Sequence, residues 1–352
     1  MKRVNKIRLL FTIFFFLLFV NFSFSQIPPK NDIEEMNLKG KVKSLKTNTY
    51  EVIKIKGEIH KGKIIVDYES SQYFLFDIEG NILEKSSYKY ELDGSIDKYS
   101  YKYDDNGNKT EENQYFYNDT TEWKLSKKHI YKYDNKGNLI EEGDYFSGSI
   151  NSNITNKFTY KYDDKGNMIE QCYTHGYFKE IYTYVYDDKG NMIEENLYNY
   201  SGSDDKVYST KQIYKYDNQG NKIEEQFFQN KKVIYKSILK YDVNDNMIES
   251  ISRDSDGILV GEEYNKYDNN GNLIEEKSNS PTMYGGVESK IIYTYNDKGN
   301  VIEKIKSSSM RNQKKEDKIK FEYDKNNNWI KTIFFDRNKP FGMIERIIEY
   351  YE

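Results

Sequence analysis

One six-residue signature, aromatic-Asp-x-x-Gly-Asn, returns about every 24 to 30 residues through most of this chain and constrains its fold more than any other feature. It is complete at Tyr103–Asn108, Tyr133–Asn138, Tyr162–Asn167, Tyr186–Asn191, Tyr216–Asn221 and Tyr267–Asn272. It is decayed at Phe76–Asn81, Tyr241–Asn246, Tyr295–Asn300 and Tyr323–Asn328. Self-similarity at such a period means a stacked repeat, each copy too small to stand alone. The signature itself is turn chemistry. Asp at the first position of a type I turn accepts a hydrogen bond from the backbone two residues on, and Gly at the fourth takes the left-handed backbone that returns the chain. The predicted turn residues are Asp104 and Gly107, Asp134 and Gly137, Asp163 and Gly166, Asp187 and Gly190, Asp217 and Gly220, Asp268 and Gly271, and Gly299. Where Gly is lost, Asp245 or Asn327 replaces it, and these types best tolerate the same conformation.

Before each tip runs an alternating segment such as Ile130-Tyr-Lys-Tyr133, and after it another such as Leu139-Ile-Glu-Glu142. Both are strand patterns. The expected fold is all-β, a long antiparallel meander of about ten repeated hairpins, coiled or rolled into a repeat sheet because neighbouring strands twist. Two hairpin registers are open. A three-residue loop pairs Asp134 with Asn138, whereas a four-residue loop pairs Tyr133 with Asn138. The second is favoured because it gathers Tyr131, Tyr133 and Ile140 on one face and leaves Lys132 near Glu141 on the other. Residues 26–75 lack a clean tip but are strand-rich, and form an N-terminal cap to an array over 76–352. Ile347–Glu352 reads as an eleventh unit that stops after one strand, leaving the last edge guarded by charge or by a partner. No helix-period segment stands out.

Aromatic usage refines the picture. The chain has 35 Tyr and 19 Phe, and seven of the Phe lie within the first 25 residues. A hydroxyl seeks a partner or water when its ring packs, so a Tyr excess predicts half-wet aromatic faces over a thick dry core. Those first residues carry Lys2, Arg3, Lys6 and Arg8, an apolar run from Leu9 to Val20 and Ser23-Phe-Ser25, the pattern of a signal peptide cleaved between Ser25 and Gln26. The run is too short to span a bilayer as a helix, so no transmembrane segment is expected after cleavage. The protein is expected to be exported to the periplasm, outer surface or extracellular space. Without the leader, 49 Lys and Arg face 57 Asp and Glu, a charge of −8, which argues against nucleic acid as a partner. Cys172 is the sole cysteine, so no intramolecular disulfide forms.

Units of this form resemble the YD-repeat, or Rhs-like, family, and most closely its short exported bacterial members without a toxin domain. The likeness covers Phe76 to Glu352. It implies strand architecture and a surface location. In large members the repeats coil into a hollow shell around a toxin, and some members are carbohydrate-binding. No toxin domain is expected after these repeats, and the units are expected to be too few to enclose much volume.

Searching for chemistry gives little. The acidic tips lack the bidentate Glu of an EF-hand loop, and turn geometry accounts for their polar residues. Cys172-Tyr-Thr-His175 has a metal-like spacing, but His60 and His129 lie far off in sequence, so no metal or cofactor is expected. Glu111-Glu112, Glu141-Glu142 and Glu194-Glu195 recur with every unit, whereas an active site is singular, so no catalytic residue is assigned and the chain is expected not to be an enzyme. Tyr stripes suit core packing, leaving the loop aromatics Trp123, Tyr145, Tyr177 and Tyr198 as ligand-stacking candidates. The expected role is a binding scaffold for carbohydrate or another envelope protein, with strand addition to a partner as the alternative.

Overall fold

The structure, a computed structural model, describes residues 31–65, 71–88, 96–117, 122–146, 156–201, 206–281, 286–310 and 313–352. The signal-peptide expectation, with Ser25 and Gln26, lies outside them. The described residues form a 23-stranded antiparallel sheet and one four-residue helix. Two units divide the chain. One comprises the chain up to Ser126 together with Ile319–Glu352, and the other is Lys127–Lys318. They are called here the terminal unit and the central unit.

Each tip reverses the chain by the same bonds. In Tyr133–Asn138 the Asp134 amide donates to the Asn138 carbonyl (2.9 Å) and the Gly137 amide to the Asp134 carbonyl (3.1 Å). Asp134 Oδ1 accepts from the Lys136 and Asn138 amides, and Oδ2 from Asn138 Nδ2. Those donors hold the Asp134 carboxyl below its usual range, the Asn138 side chain foremost. Gly137 has φ 86°, and Gly107, Gly166, Gly190, Gly220, Gly271 and Gly299 lie between 78° and 93°. Asp245 and Asn327 take the same region at 62° and 66°. An eleventh turn of this kind, at Asp254–Ile258, closes the opposite end of a hairpin, with the Gly257 amide on the Asp254 carbonyl.

The register differs from the favoured expectation. Asp134 pairs with Asn138, the three-residue loop, because the Asp carboxylate claims the Asn138 amide and closes the tip one residue further out. A bulge at Ile140 then restores the ladder, so that Tyr133 faces Leu139, Lys132 faces Glu141 and Tyr131 faces Glu142. Tyr131 and Tyr133 therefore share a face with Glu142, and Ile140 is a bulged residue 37% exposed.

In the terminal unit the first strand, Val42–Ile55, has neighbours on both sides. One is the last strand, Lys339–Tyr350, with Leu45 opposite Ile348. On the other side its first half pairs with Ser71–Phe76 and its second half with Glu58–Ile65. The expected eleventh unit with an open edge is thus corrected. Ile347–Tyr350 ends a twelve-residue strand whose partner is the first strand, so backbone groups that water or a foreign strand would otherwise take are satisfied within the chain.

A short helix, Asp32–Glu35, capped by the Asn31 side chain on the Glu34 amide, sits on this unit and is too brief to leave a periodic trace in sequence. It brings Ile33 and Leu38 onto Val42, Leu45, Phe74, Phe76 and Ile82 as a dry cluster. Asp32 is buried with them because its carboxylate is fully used. Oδ2 accepts from the Ile82 amide and the Tyr103 hydroxyl (2.8 Å each), and Oδ1 meets Lys109 Nζ at 3.1 Å. A second cluster forms around Ile333, Phe335 and Met343.

In the central unit, each strand from the one ending at Tyr133 to Val301–Met310 pairs with the next in sequence across every junction. Its only buried large hydrophobics among the described residues are Tyr214 and Ile291, and neither is fully buried. The half-wet aromatic face predicted from the Tyr excess is found here.

Candidate functional site

Alternation places the two Glu of each unit on opposite faces of the sheet. The first meets lysines. Glu141 lies 2.8 Å from Lys132 and 2.6 Å from Lys157, Glu224 2.9 Å from both Lys215 and Lys236, and Glu170 2.8 Å from Lys161. Glu275 is held down to about 2 by Lys290 first, against burial, and by Lys277 and Lys266. These lysines are largely exposed, so each pair contributes little alone but keeps this face soluble and unattractive to other strands.

The opposite face carries the tyrosines with the second Glu. Tyr160 donates to Glu142 (2.5 Å), Tyr214 to Glu195 (3.2 Å), Tyr235 to Glu225 (3.4 Å), Tyr293 to Glu276 (3.3 Å) and Tyr184 to Gln171 (3.5 Å). Nearer the tips, hydroxyls donate to backbone. Tyr162 bonds the Leu139 carbonyl, Tyr186 that of Met168, Tyr216 that of Met192, Tyr241 that of Lys222, Tyr267 that of Met247 and Tyr295 that of Leu273, all at 2.7 to 3.0 Å. Each acceptor follows the preceding tip, beyond the reach of the ladder to the next strand. Between the strands Met192–Ser201 and Lys206–Tyr216, for example, pairing runs only to Glu194 opposite Ile213. The tip aromatic is Tyr because Phe could not satisfy that carbonyl. Burial pushes the Tyr216 hydroxyl up to about 12, so it remains a donor at neutral pH. Burial also raises Glu195 despite the bond from Tyr214, with Glu225's charge adding.

Within this repeated face one cluster occurs once. His129 Nδ1 lies 2.6 Å from Asp144 Oδ1 and Nε2 lies 3.1 Å from Glu142 Oε2, with its ring centroid 4.6 Å from that of Tyr131. Asp144 also takes Lys127 (2.9 Å) and Asn156 (2.9 Å), and Asn156 Oδ1 meets His175 Nδ1 at 2.6 Å. Burial opposes the charge on His129, but the bonds to Glu142 and Asp144 outweigh it and raise the imidazole above its ordinary value. The same slots in neighbouring units hold Tyr99, Phe158 and Tyr182 in place of His129, and Gln114, Tyr173 and Leu197 in place of Asp144. Laying the repeats over one another and looking for charge where an aromatic is usual would have found this cluster in sequence.

Of the four stacking candidates, the structure keeps two at the ends of strands. Tyr177 is 92% exposed in the turn after Gly176, and Trp123 opens its strand with its ring 5.5 Å from Tyr117. Tyr145 and Tyr198 are not loop residues. The strands after the tips run eight and ten residues, past the Ile-Glu-Glu signature, and place both half-buried on the lysine face, opposite Lys128 and Ile181. Cys172 and His175 are three residues apart on one strand, hence on opposite faces, and no group of three or more His, Cys, Asp or Glu among the described residues could hold a metal ion. Tip carboxylates spend both oxygens on hydrogen bonds, as Asp187 does on Lys189 and Asn191 of its own turn, and as Asp324 does on its own turn and the Tyr350 hydroxyl.

No protein-family model matches the chain, and no curated protein matches it. Among solved structures it is similar to TcdB2-TccC3 without its hypervariable C-terminal region, at 10% identity and a TM-score of 0.34 over 83% of this chain and 17% of that one. It is also similar to the Tc holotoxin pore of Photorhabdus luminescens, at 10% identity and a TM-score of 0.30 over 80% and 20% of the two chains. A porin-like protein from Bacteroides uniformis matches at 10% identity and a TM-score of 0.28, over 92% of this chain and 100% of that one. The chain thus spans less than a fifth of the TcdB2-TccC3 chain it matches. Likeness this low assigns neither family nor activity. The YD-repeat resemblance rests on the tips themselves. Among the described residues no helix is long and apolar enough to cross a membrane.

Proposed function

We propose that this is an exported, non-enzymatic scaffold of the cell envelope whose tyrosine face in the central unit binds a polymer, a glycan in the first instance. The observation that carries this is the row of half-buried Tyr rings, each beside a carboxylate or amide, at Tyr160, Tyr184, Tyr235 and Tyr293. Ring faces accept the apolar faces of sugars, while neighbouring carboxylates and amides accept hydroxyl hydrogen bonds. Repetition along the strands suits a repeating ligand. Strand addition to a partner has less support, since the first and last strands are each other's neighbours.

A glycan array followed by titration calorimetry on residues 26–352 tests the proposal. Binding that weakens in Tyr160→Ala and Tyr293→Ala is the expected result, and silence across the array removes the glycan reading.

A further inference from the structure

Many lysines on this protein meet a carboxylate, while the half-buried Lys85 and Lys304 lie over the Tyr99 and Tyr293 rings instead. Lysines of one face meet the first Glu of each unit, Lys109 meets Asp32 and Lys127 meets Asp144. Arg346, on the last strand, departs from this. Its guanidinium lies 3.5 Å over the Trp329 ring, its Nε is buried without a hydrogen-bond partner, and no carboxylate among the described residues forms an ion pair with it. The acids nearest in sequence are committed elsewhere. Glu345 bonds Lys61 at 2.9 Å and Glu349 accepts from Ser44, both being one or three residues away and so on the other face. Burial alone pushes the Arg346 guanidinium down to about 9, still charged at neutral pH.

A desolvated charge without a counter-ion is costly, and the ring offsets only part of that cost. We propose that the guanidinium of Arg346, backed by Trp329, is an oxyanion-binding subsite that holds a carboxylate, sulfate or phosphate group of a ligand. A planar fork presents two parallel N–H donors to such a group, and the indole fixes the plane of the fork while sealing its inner side from water. The subsite lies in the terminal unit and stands independently of the glycan proposal for the central unit, because it recognises an oxyanion whatever carries it.

The chain has two tryptophans, Trp123 and Trp329, so Trp123→Phe leaves an indole in contact with the guanidinium as the reporter. Titrating that variant with acetate, sulfate and phosphate at constant ionic strength, against chloride, should give a saturable change in emission, and the anion with the lowest midpoint names the preferred group. Arg346→Met should abolish the change, and Arg346→Lys should raise the midpoint at least tenfold, with circular dichroism confirming the fold of each. If Arg346→Met does not fold, Arg346→Lys decides alone. No saturable change with any of the three anions, or an unchanged midpoint in the Arg346 variants, overturns the proposal. A silent glycan array leaves this titration untouched.

Discussion

The two units use the same hairpin for different ends. In the terminal unit a short helix covers part of the sheet, and the aliphatic and phenyl side chains clustered beneath it are dry, Phe76 and Val42 being fully buried. In the central unit the equivalent face carries Tyr, Glu and Gln, and little is fully buried. The slot filled by buried Ile82 in the first repeat is filled by Leu139, Met168 and Met192 in later ones, half-buried with no helix over them. The first repeat keeps the bond from the tip Tyr, with Tyr103 donating to the Ile82 carbonyl (2.9 Å), and adds a dry cluster to it, so the two units differ in what holds them most. Apolar burial dominates in the terminal unit, at about 1.5 to 3 kcal/mol for each fully buried large side chain. Hydroxyl-to-carbonyl bonds and ladder pairing dominate in the central unit, each bond contributing about 1 kcal/mol.

The contrast is open to breaking. Phe76→Ala should cost about 3 to 5 kcal/mol as the terminal cluster loses its largest member, whereas Val243→Ala, at a tip 98% exposed, should stay within about 0.5 kcal/mol. Urea midpoints of the two variants decide it, and equal shifts would mean that the helix-covered cluster is not the anchor. The tip under the helix differs next from the open tips. A Cβ on Gly166 meets nothing within 4 Å, so Gly166→Ala should cost only the left-handed strain, about 1 to 2 kcal/mol. A Cβ on Gly80 would stand 2.8 Å from Asn31 Nδ2, where the helix is tied to the tip, so Gly80→Ala should cost more and speed amide exchange over residues 31–38. Tyr216→Phe should lose about 1 kcal/mol by orphaning the Met192 carbonyl, with faster exchange confined to the neighbouring strands.

The smallest effect is a pH slope. His129 is raised in the folded state, so its contribution to stability is fully present below the unfolded value near 6.5 and is lost as pH rises through the higher folded value. Thermal melts across that interval should fall more steeply for the natural chain than for His129→Gln, and parallel slopes would show that the cluster does not hold its proton.

Much of this architecture was legible in the tips. Asp134 and Gly137 announce a chain reversal by local chemistry alone, and ten such signals fix an antiparallel meander. Register was not legible, because the same tip is compatible with both loops until the Asp134 carboxylate has claimed the Asn138 amide and Ile140 has bulged. The pairing of Val42–Ile55 with Lys339–Tyr350 left no local trace, since it joins segments nearly 300 residues apart. The His129 cluster was hidden for a related reason. Periodicity draws attention to what recurs, and His129, Asp144 and His175 matter because they do not recur.

The neighbour relation of the first and last strands also sets an order of events during synthesis. One border of Val42–Ile55 waits for Lys339–Tyr350 to emerge, so until then the nascent molecule carries an unsatisfied template for strand capture. Distant pairing of this kind is slow to form and sensitive to crowding by sister molecules. A chain cut short before Lys339 should therefore gather into aggregates.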